Sequence, residues 1–123
     1  MKLLVVDDSR VMRQIVIRTL RQSGHGDHEV VEAENGREAF EAVLAHSPDL
    51  VLSDWNMPEM SGIDLLDALR SSGHAVPFGF VTSEGSPEMR AQAEAAGASF
   101  LIAKPFTPEA FDEALGSVLG ARP

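Results

Sequence analysis

The chain has 123 residues, a length that holds one domain, and 44% of them are apolar, too many for a disordered chain. It has no cysteine, which excludes disulfides and thiolate metal sites, and no apolar run long enough to cross a membrane. A formal net charge of -9 argues against nonspecific nucleic-acid binding and suits a bound cation or a basic partner.

The opening MKLLVVDD is too short in its apolar part for a secretory leader, and these absences together fit a cytoplasmic protein. Lys2-Leu3-Leu4-Val5-Val6 reads as a buried strand ending at Asp7-Asp8. Ser9 or Asp8 then caps a helix running to about Ser23. Its inward face is Val11, Met12, Ile15, Val16, Thr19 and Leu20; its other side carries Arg10, Arg13, Arg18 and Arg21. Gly24 closes the helix, and HGDH is a loop. Residues 29 to 33, EVVEA, form a short strand with polar ends, placed at or near a sheet edge. Asn35-Gly36 turns the chain into a second helix, 37 to 46, with Ala39, Phe40, Val43 and Leu44 inward.

Leu50-Val51-Leu52-Ser53 is a third strand, and Asp54 sits where it emerges into a loop rich in turn formers, Asn56, Pro58, Ser61 and Gly62. A third helix, 62 to 71, turns Ile63, Leu66 and Leu69 to the core and ends at Gly73. Residues 76 to 82, VPFGFVT, are a fourth strand; Gly79 within it marks a close approach by something else. Ser86-Pro87-Glu88 starts a helix, 87 to 96, that is alanine-rich, with Met89 its one large apolar residue, and is therefore weakly anchored. Residues 99 to 103, SFLIA, are a fifth strand ending at Lys104-Pro105. Thr107-Pro108-Glu109 opens a last helix with Phe111, Leu115, Val118 and Leu119 inward.

Five β-α alternations with short connections imply an α/β doubly wound fold, a parallel sheet with helices on both faces. Sites in such sheets form at the carboxyl ends of the strands. Here those ends carry Asp7 and Asp8, Asp54, Thr82 and Ser83, and Lys104. Three carboxylates in one cleft repel each other unless a cation enters. Oxygen ligands with neither cysteine nor a nearby histidine pair favour Mg²⁺, or Mn²⁺, over zinc. His25 and His28 are better read as solvated loop residues than as a metal site, and His46 and His74 also fall in loops or at helix ends. Lys104 supplies a flexible point charge for a phosphate or an ion pair, and Thr82 a hydroxyl donor. A carboxylate nucleophile, a metal, a lysine and a hydroxyl suggest phosphoryl transfer onto Asp54. Taken singly, Asp8 also reads as a helix cap, Thr82 as a strand-end hydroxyl and Lys104 as a surface lysine.

The segments VVDDS (5 to 9), DWNMPEMSG (54 to 62), VTSEG (81 to 85) and AKPF (103 to 106) carry a resemblance over nearly the whole chain. The chain is similar to the receiver domains of two-component response regulators, above all to the single-domain chemotaxis members of that family. The resemblance implies a flavodoxin-like (βα)5 sandwich with strand order 2-1-3-4-5. It makes Asp54 the phosphoacceptor, with Asp8 binding Mg²⁺ directly, Asp7 partly through water, and Asn56 through its backbone carbonyl. Thr82 would rotate toward the phosphoryl group, Lys104 would pair with it, and the Lys104-Pro105 bond would be cis. Asn56 and Glu84 would tune dephosphorylation. The donor would be a histidine kinase or a histidine phosphotransfer protein, and the arginine-rich first helix is a candidate for meeting it. With no output domain after the last helix, a monomer would pass its signal through the fourth helix, fifth strand and last helix to an unidentified protein.

One departure stands out. The family places Tyr or Phe three residues before the site lysine, and here that residue is Leu101, with Phe100 beside it. Adjacent strand residues face opposite ways, so Phe100 does not simply substitute. Two other classes fit less well. An aspartyl-phosphate phosphatase needs Asp-x-Asp after the first strand, where this chain has Asp7-Asp8-Ser9. A flavodoxin-like nucleotide binder needs a Ser, Thr and Gly loop there, and two acids repel phosphate. The intact set of site residues also argues against a receiver-like module that needs no phosphorylation.

Overall fold

Apolar runs at residues 2–6, 50–53 and 78–82 are too short for helices and are buried throughout or nearly so, the signature of strands covered on both faces. The computed structural model describes residues 2–24, 28–83, 85–104 and 106–119. Expectations that fall on His25, Glu84, the Lys104-Pro105 bond and the side chain of Leu119 lie outside these residues. Five parallel strands, β1 (Lys2–Val6), β2 (Glu29–Ala33), β3 (Leu50–Ser53), β4 (Phe78–Thr82) and β5 (Phe100–Ala103), form one sheet in the order β2-β1-β3-β4-β5. They alternate with α1 (Arg10–Gln22), α2 (Gly36–His46), α3 (Gly62–Ser71), α4 (Pro87–Ala95) and α5 (Pro108–Leu119).

The two-residue period of the strands builds two cores. Leu3, Val5, Leu50, Leu52, Val81 and Ile102 face α1 and α5, meeting Val16, Ile17, Leu20, Phe111 and Leu115. Leu4, Val6, Val51, Phe78 and Phe80 face the other way, onto Val43, Leu65, Leu66, Leu69 and Ala93 of α2, α3 and α4. Helix starts are set locally: the side chains of Ser9, Asn35, Ser61 and Ser86 each accept an N–H from the third residue on. Ser9, not Asp8, caps α1. Gly24 follows the end of α1 with φ +91, as a helix-ending glycine should.

Two expected inward positions turn outward. Val11 is 68% exposed and Leu44 54%. Val11 stands about 140° around the helix from Val16, and Leu44 about 100° from Val43, which puts both off the contact line. Ile17 and Leu65, not singled out by periodicity, are buried instead. β4 begins at Phe78 rather than residue 76, because Pro77 has no N–H to give; its carbonyl still accepts from Val51 at 2.9 Å. β5 begins at Phe100, one residue later than the pattern suggests.

Gly79 pairs with Phe100, whose ring lies across it; a Cβ at position 79 would overlap that ring. The weak anchoring read into α4 also holds, since Ala93 is its one buried residue.

Candidate functional site

Strand register assembles the site. Val6 pairs with Ser53, so the next residues, Asp7 and Asp54, emerge side by side. The Asp54 N–H donates to the Val6 carbonyl at 2.9 Å, and the Asp7 N–H to the Ala33 carbonyl at 3.2 Å, so both leave the sheet from fixed backbone. Carboxylate oxygens of Asp7, Asp8 and Asp54 lie within 4.8 Å of one another. Asp7 is buried, Asp54 half-buried and Asp8 exposed. Across β4 and β5, the Lys104 N–H donates to the Thr82 carbonyl at 2.7 Å. That places Lys104 Nζ 3.5 Å from Asp7 Oδ2. Thr82 is fully buried at the same strand-end edge.

The acids are held by more than each other. Asp7 Oδ1 accepts the Ser9 N–H at 2.9 Å, and Asp54 Oδ1 accepts the Trp55 N–H at 2.8 Å. Burial pushes the Asp7 carboxyl above its ordinary value; the Ser9 N–H and Lys104 pull it down, and Asp8 pushes it up. Burial likewise raises Asp54, opposed by Lys104 and the Trp55 N–H and reinforced by the negative charges of Asp7 and Asp8. Carboxylates pressed together at a partly buried edge, with oxygen as the sole donor type, are a set that a hard divalent cation fits. Among the described residues, this is the one group of three or more acids and histidines close enough to hold a metal.

The loop after Asp54 is short and tightly closed. The Gly62 N–H donates to the Trp55 carbonyl at 2.7 Å, and the Met60 N–H to the Pro58 carbonyl at 2.7 Å. Glu59 takes φ +68, a left-handed conformation that costs a residue with a Cβ. Asn56 is exposed on this loop, and the Trp55 ring packs on Phe80 with centroids 4.6 Å apart.

The structure brings Asp7, Asp8, Asp54, Thr82 and Lys104 to one edge, as expected from the strand ends. It separates the neighbours on β5: Leu101 packs with the core beneath α4, Phe100 with the core beneath α1 and α5. It also gives one of the four arginines of α1 a structural tie. Arg13 donates from Nη1 to the Asp7 carbonyl at 2.7 Å and from Nε to Glu32 at 2.9 Å, tying α1 to the ends of β1 and β2. Helical spacing alone gave no sign of this, because both acceptors lie on other elements. Met12 and Ile15, expected in the core, are half-buried; with Lys104 and Phe106 they line an open hollow of about 430 Å³ beside the site.

The sequence model of the response regulator receiver domain matches residues 3–116. The chemotaxis protein CheY1 of Helicobacter pylori is 46% identical over 123 residues, 98% of each chain. The CheY homolog of Campylobacter jejuni is 45% identical over 98% of this chain and 93% of its own. Among solved structures, the chemotaxis protein CheY4 of Vibrio cholerae superposes with a TM-score of 0.83 at 38% identity, over 95% of this chain and 97% of that one. The signal receiver domain of NarL from Mycobacterium tuberculosis gives a TM-score of 0.83 at 31% identity, over 98% and 97%.

Proposed function

The chain belongs to the response regulator receiver family, and from that premise we propose that it is a single-domain phosphorylation switch whose acceptor is Asp54. The observation that carries the proposal is the cluster itself: Asp7, Asp8 and Asp54 oxygens within 4.8 Å, with Lys104 3.5 Å from Asp7.

Asp54 is fixed by its backbone and by the Trp55 N–H on Oδ1. As a carboxylate it attacks phosphorus on a phosphohistidine of a histidine kinase or phosphotransfer protein, and the imidazole leaves. Asp7, Asp8, Asp54 and the Asn56 carbonyl would hold Mg²⁺, with Mn²⁺ the natural substitute. The bound cation would supply charge neutralisation for the carboxylates and the phosphoryl oxygens. Lys104 offers its ammonium to a phosphoryl oxygen, and Thr82 its hydroxyl. A phosphoryl group adds between one and two negative charges at neutral pH, roughly -1.5 to -2, and draws Thr82 and its loop inward. The poorly anchored α4 is the element most easily shifted by that movement.

Donor recognition would use the α1 side of the site. The hollow lined by Met12, Ile15 and Phe106 opens beside Lys104, and Arg10 and Arg18 are exposed on the same helix. An apolar centre with a basic flank suits a helical donor that carries acids around its histidine. The chain acts as a cytoplasmic monomer without nucleic acid, and its output is capture of a downstream protein at α4, β5 and α5.

The test is intact mass after incubation with acetyl phosphate, with and without Mg²⁺, for wild type and Asp54→Asn. One phosphoryl group, added with Mg²⁺ and absent from Asp54→Asn, is the expected result. An adduct of equal yield on Asp54→Asn would overturn the assignment. Arg10→Glu with Arg18→Glu should slow transfer from a phosphohistidine protein but not from acetyl phosphate; equal slowing of both would remove the docking role.

A further inference from the structure

α4 buries Ala93 and little else, so apolar packing does not explain how its position is set. Its ends are held by two arginines on backbone carbonyls. At the far end, Arg70 of α3 donates to the His74 carbonyl at 2.8 Å and to the Gly97 carbonyl at 3.3 Å. At the end nearer the site, Arg90 of α4 itself donates from Nε to the Gly85 carbonyl at 3.3 Å and from Nη1 to the Leu101 carbonyl at 3.1 Å.

The two acceptors of Arg90 are placed symmetrically about the site. Gly85 lies three residues beyond Thr82, and Leu101 three before Lys104. Lys104 and Thr82 are joined by their own backbone hydrogen bond of 2.7 Å. Chain and hydrogen bonds therefore close a ring that runs from Thr82 through Gly85, Arg90 and Leu101 to Lys104 and back. The ring is tight at Gly85, where an added Cβ would lie 3.0 Å from the Ala103 Cβ and 3.3 Å from Arg90 Nη2. Arg90 also borders a groove of about 450 Å³ between α4 and β5, together with Ala93, Glu94, Phe100 and Leu101.

We propose that Arg90 is a positioning residue that couples the loop after Thr82 to β5 and so controls the α4–β5 groove. The proposal rests on the phosphoacceptor reading. Its chemistry is that of guanidinium, a rigid fork that reaches two carbonyls at once, which a lysine ammonium on one flexible stem does not. The bond to Gly85 is long and both are exposed to solvent, so they yield to a modest pull. Movement of Thr82 and its loop toward a phosphoryl group on Asp54 takes the Gly85 carbonyl away from the fork. Arg90 then releases the Leu101 carbonyl, and the groove opens along β5.

Hydrogen exchange read by mass tests this on wild type, Arg90→Ala and Arg90→Lys, before and after treatment with acetyl phosphate and Mg²⁺, with phosphoryl uptake followed by intact mass. Before phosphorylation, amides of α4 and of residues 101–104 in Arg90→Ala should exchange about tenfold faster than in wild type, the effect of losing charge-assisted hydrogen bonds. Arg90→Lys should behave like Arg90→Ala. Phosphorylation should speed these amides in wild type and add little in either variant, while the Trp55 fluorescence response to Mg²⁺ stays the same in all three. Exchange in Arg90→Ala within about twofold of wild type, or a full wild-type response to phosphorylation in that variant, overturns the proposal. A wild type that takes up no phosphoryl group and shows no Trp55 fluorescence response to Mg²⁺ refutes the phosphoacceptor reading. The exchange of the untreated proteins still decides, in that case, whether Arg90 holds the loop.

Discussion

Three glycine-to-alanine substitutions, identical in chemistry, should give three different outcomes, and the one at Gly62 tests the architecture of the acceptor loop. Gly62 is the first residue of α3 and closes the loop that begins at Asp54. A Cβ there would overlap the Asp54 carbonyl and lie 2.9 Å from Phe80 Cε1 and 3.1 Å from the Trp55 Cα. Two of those three neighbours are backbone, so no side-chain rotation relieves the clash, and the loop must move. Overpacking of this kind costs about 1–3 kcal/mol, and straining the 2.7 Å Gly62–Trp55 hydrogen bond adds about 1 kcal/mol. The expected loss is about 2–4 kcal/mol, or about 8–16 °C in Tm for a chain of this length. Gly73→Ala meets open space but must hold φ +82, and should lose about 1 kcal/mol. Gly116→Ala, inside α5 with nothing within 4 Å, should gain about 0.5–1 kcal/mol from helix propensity. Thermal and urea unfolding of the three variants read the ranking directly. A Gly62→Ala protein melting within about 2 °C of wild type would refute the claim that backbone crowding fixes this loop.

The charge cluster predicts an effect of opposite sign. Asp54 has its folded-state pKa raised above the ordinary 3.8, so its contribution is favourable below that value and is lost as pH rises through the raised one. Metal-free Asp54→Asn should therefore be more stable than wild type at neutral pH, with a Tm gap that opens from about pH 4 upward; a gap independent of pH would contradict this. Mg²⁺ at ten times its Kd should stabilise wild type by about 1.4 kcal/mol, and Asp54→Asn by less at the same concentration. Equal Tm shifts for the two proteins would place the cation elsewhere. Leu44→Gln should change stability by no more than about 0.5 kcal/mol, whereas Leu65→Ala should cost about 2–5 kcal/mol, and comparable losses in urea unfolding would show the helix faces to be wrongly assigned.

Some of this was written in short stretches of chain. Strand and helix alternation is a matter of local periodicity, and each helix start is fixed by a side chain bonding the N–H three residues on, so both can be read along the sequence. The carboxyl ends of the strands follow from parallel alternation alone. That is why Asp7, Asp8, Asp54, Thr82 and Lys104 group together along the sequence itself. Family motifs supplied the strand order, which periodicity does not contain.

Other features depend on what lies opposite. Periodicity marks a set of apolar positions, but the sheet decides which of them touch it; hence Val11 and Leu44 face out and Ile17 faces in. The reason for Gly79 is a ring on the neighbouring strand, visible once Phe100 is in register with it. The arginines show the limit most plainly. Arg13, Arg70 and Arg90 bind backbone carbonyls on other elements or in the loops beside them. Every residue but its side chain looks alike to such a contact, because every residue carries the same carbonyl. No residue pattern therefore advertises it, and folding alone decides which carbonyl each guanidinium finds.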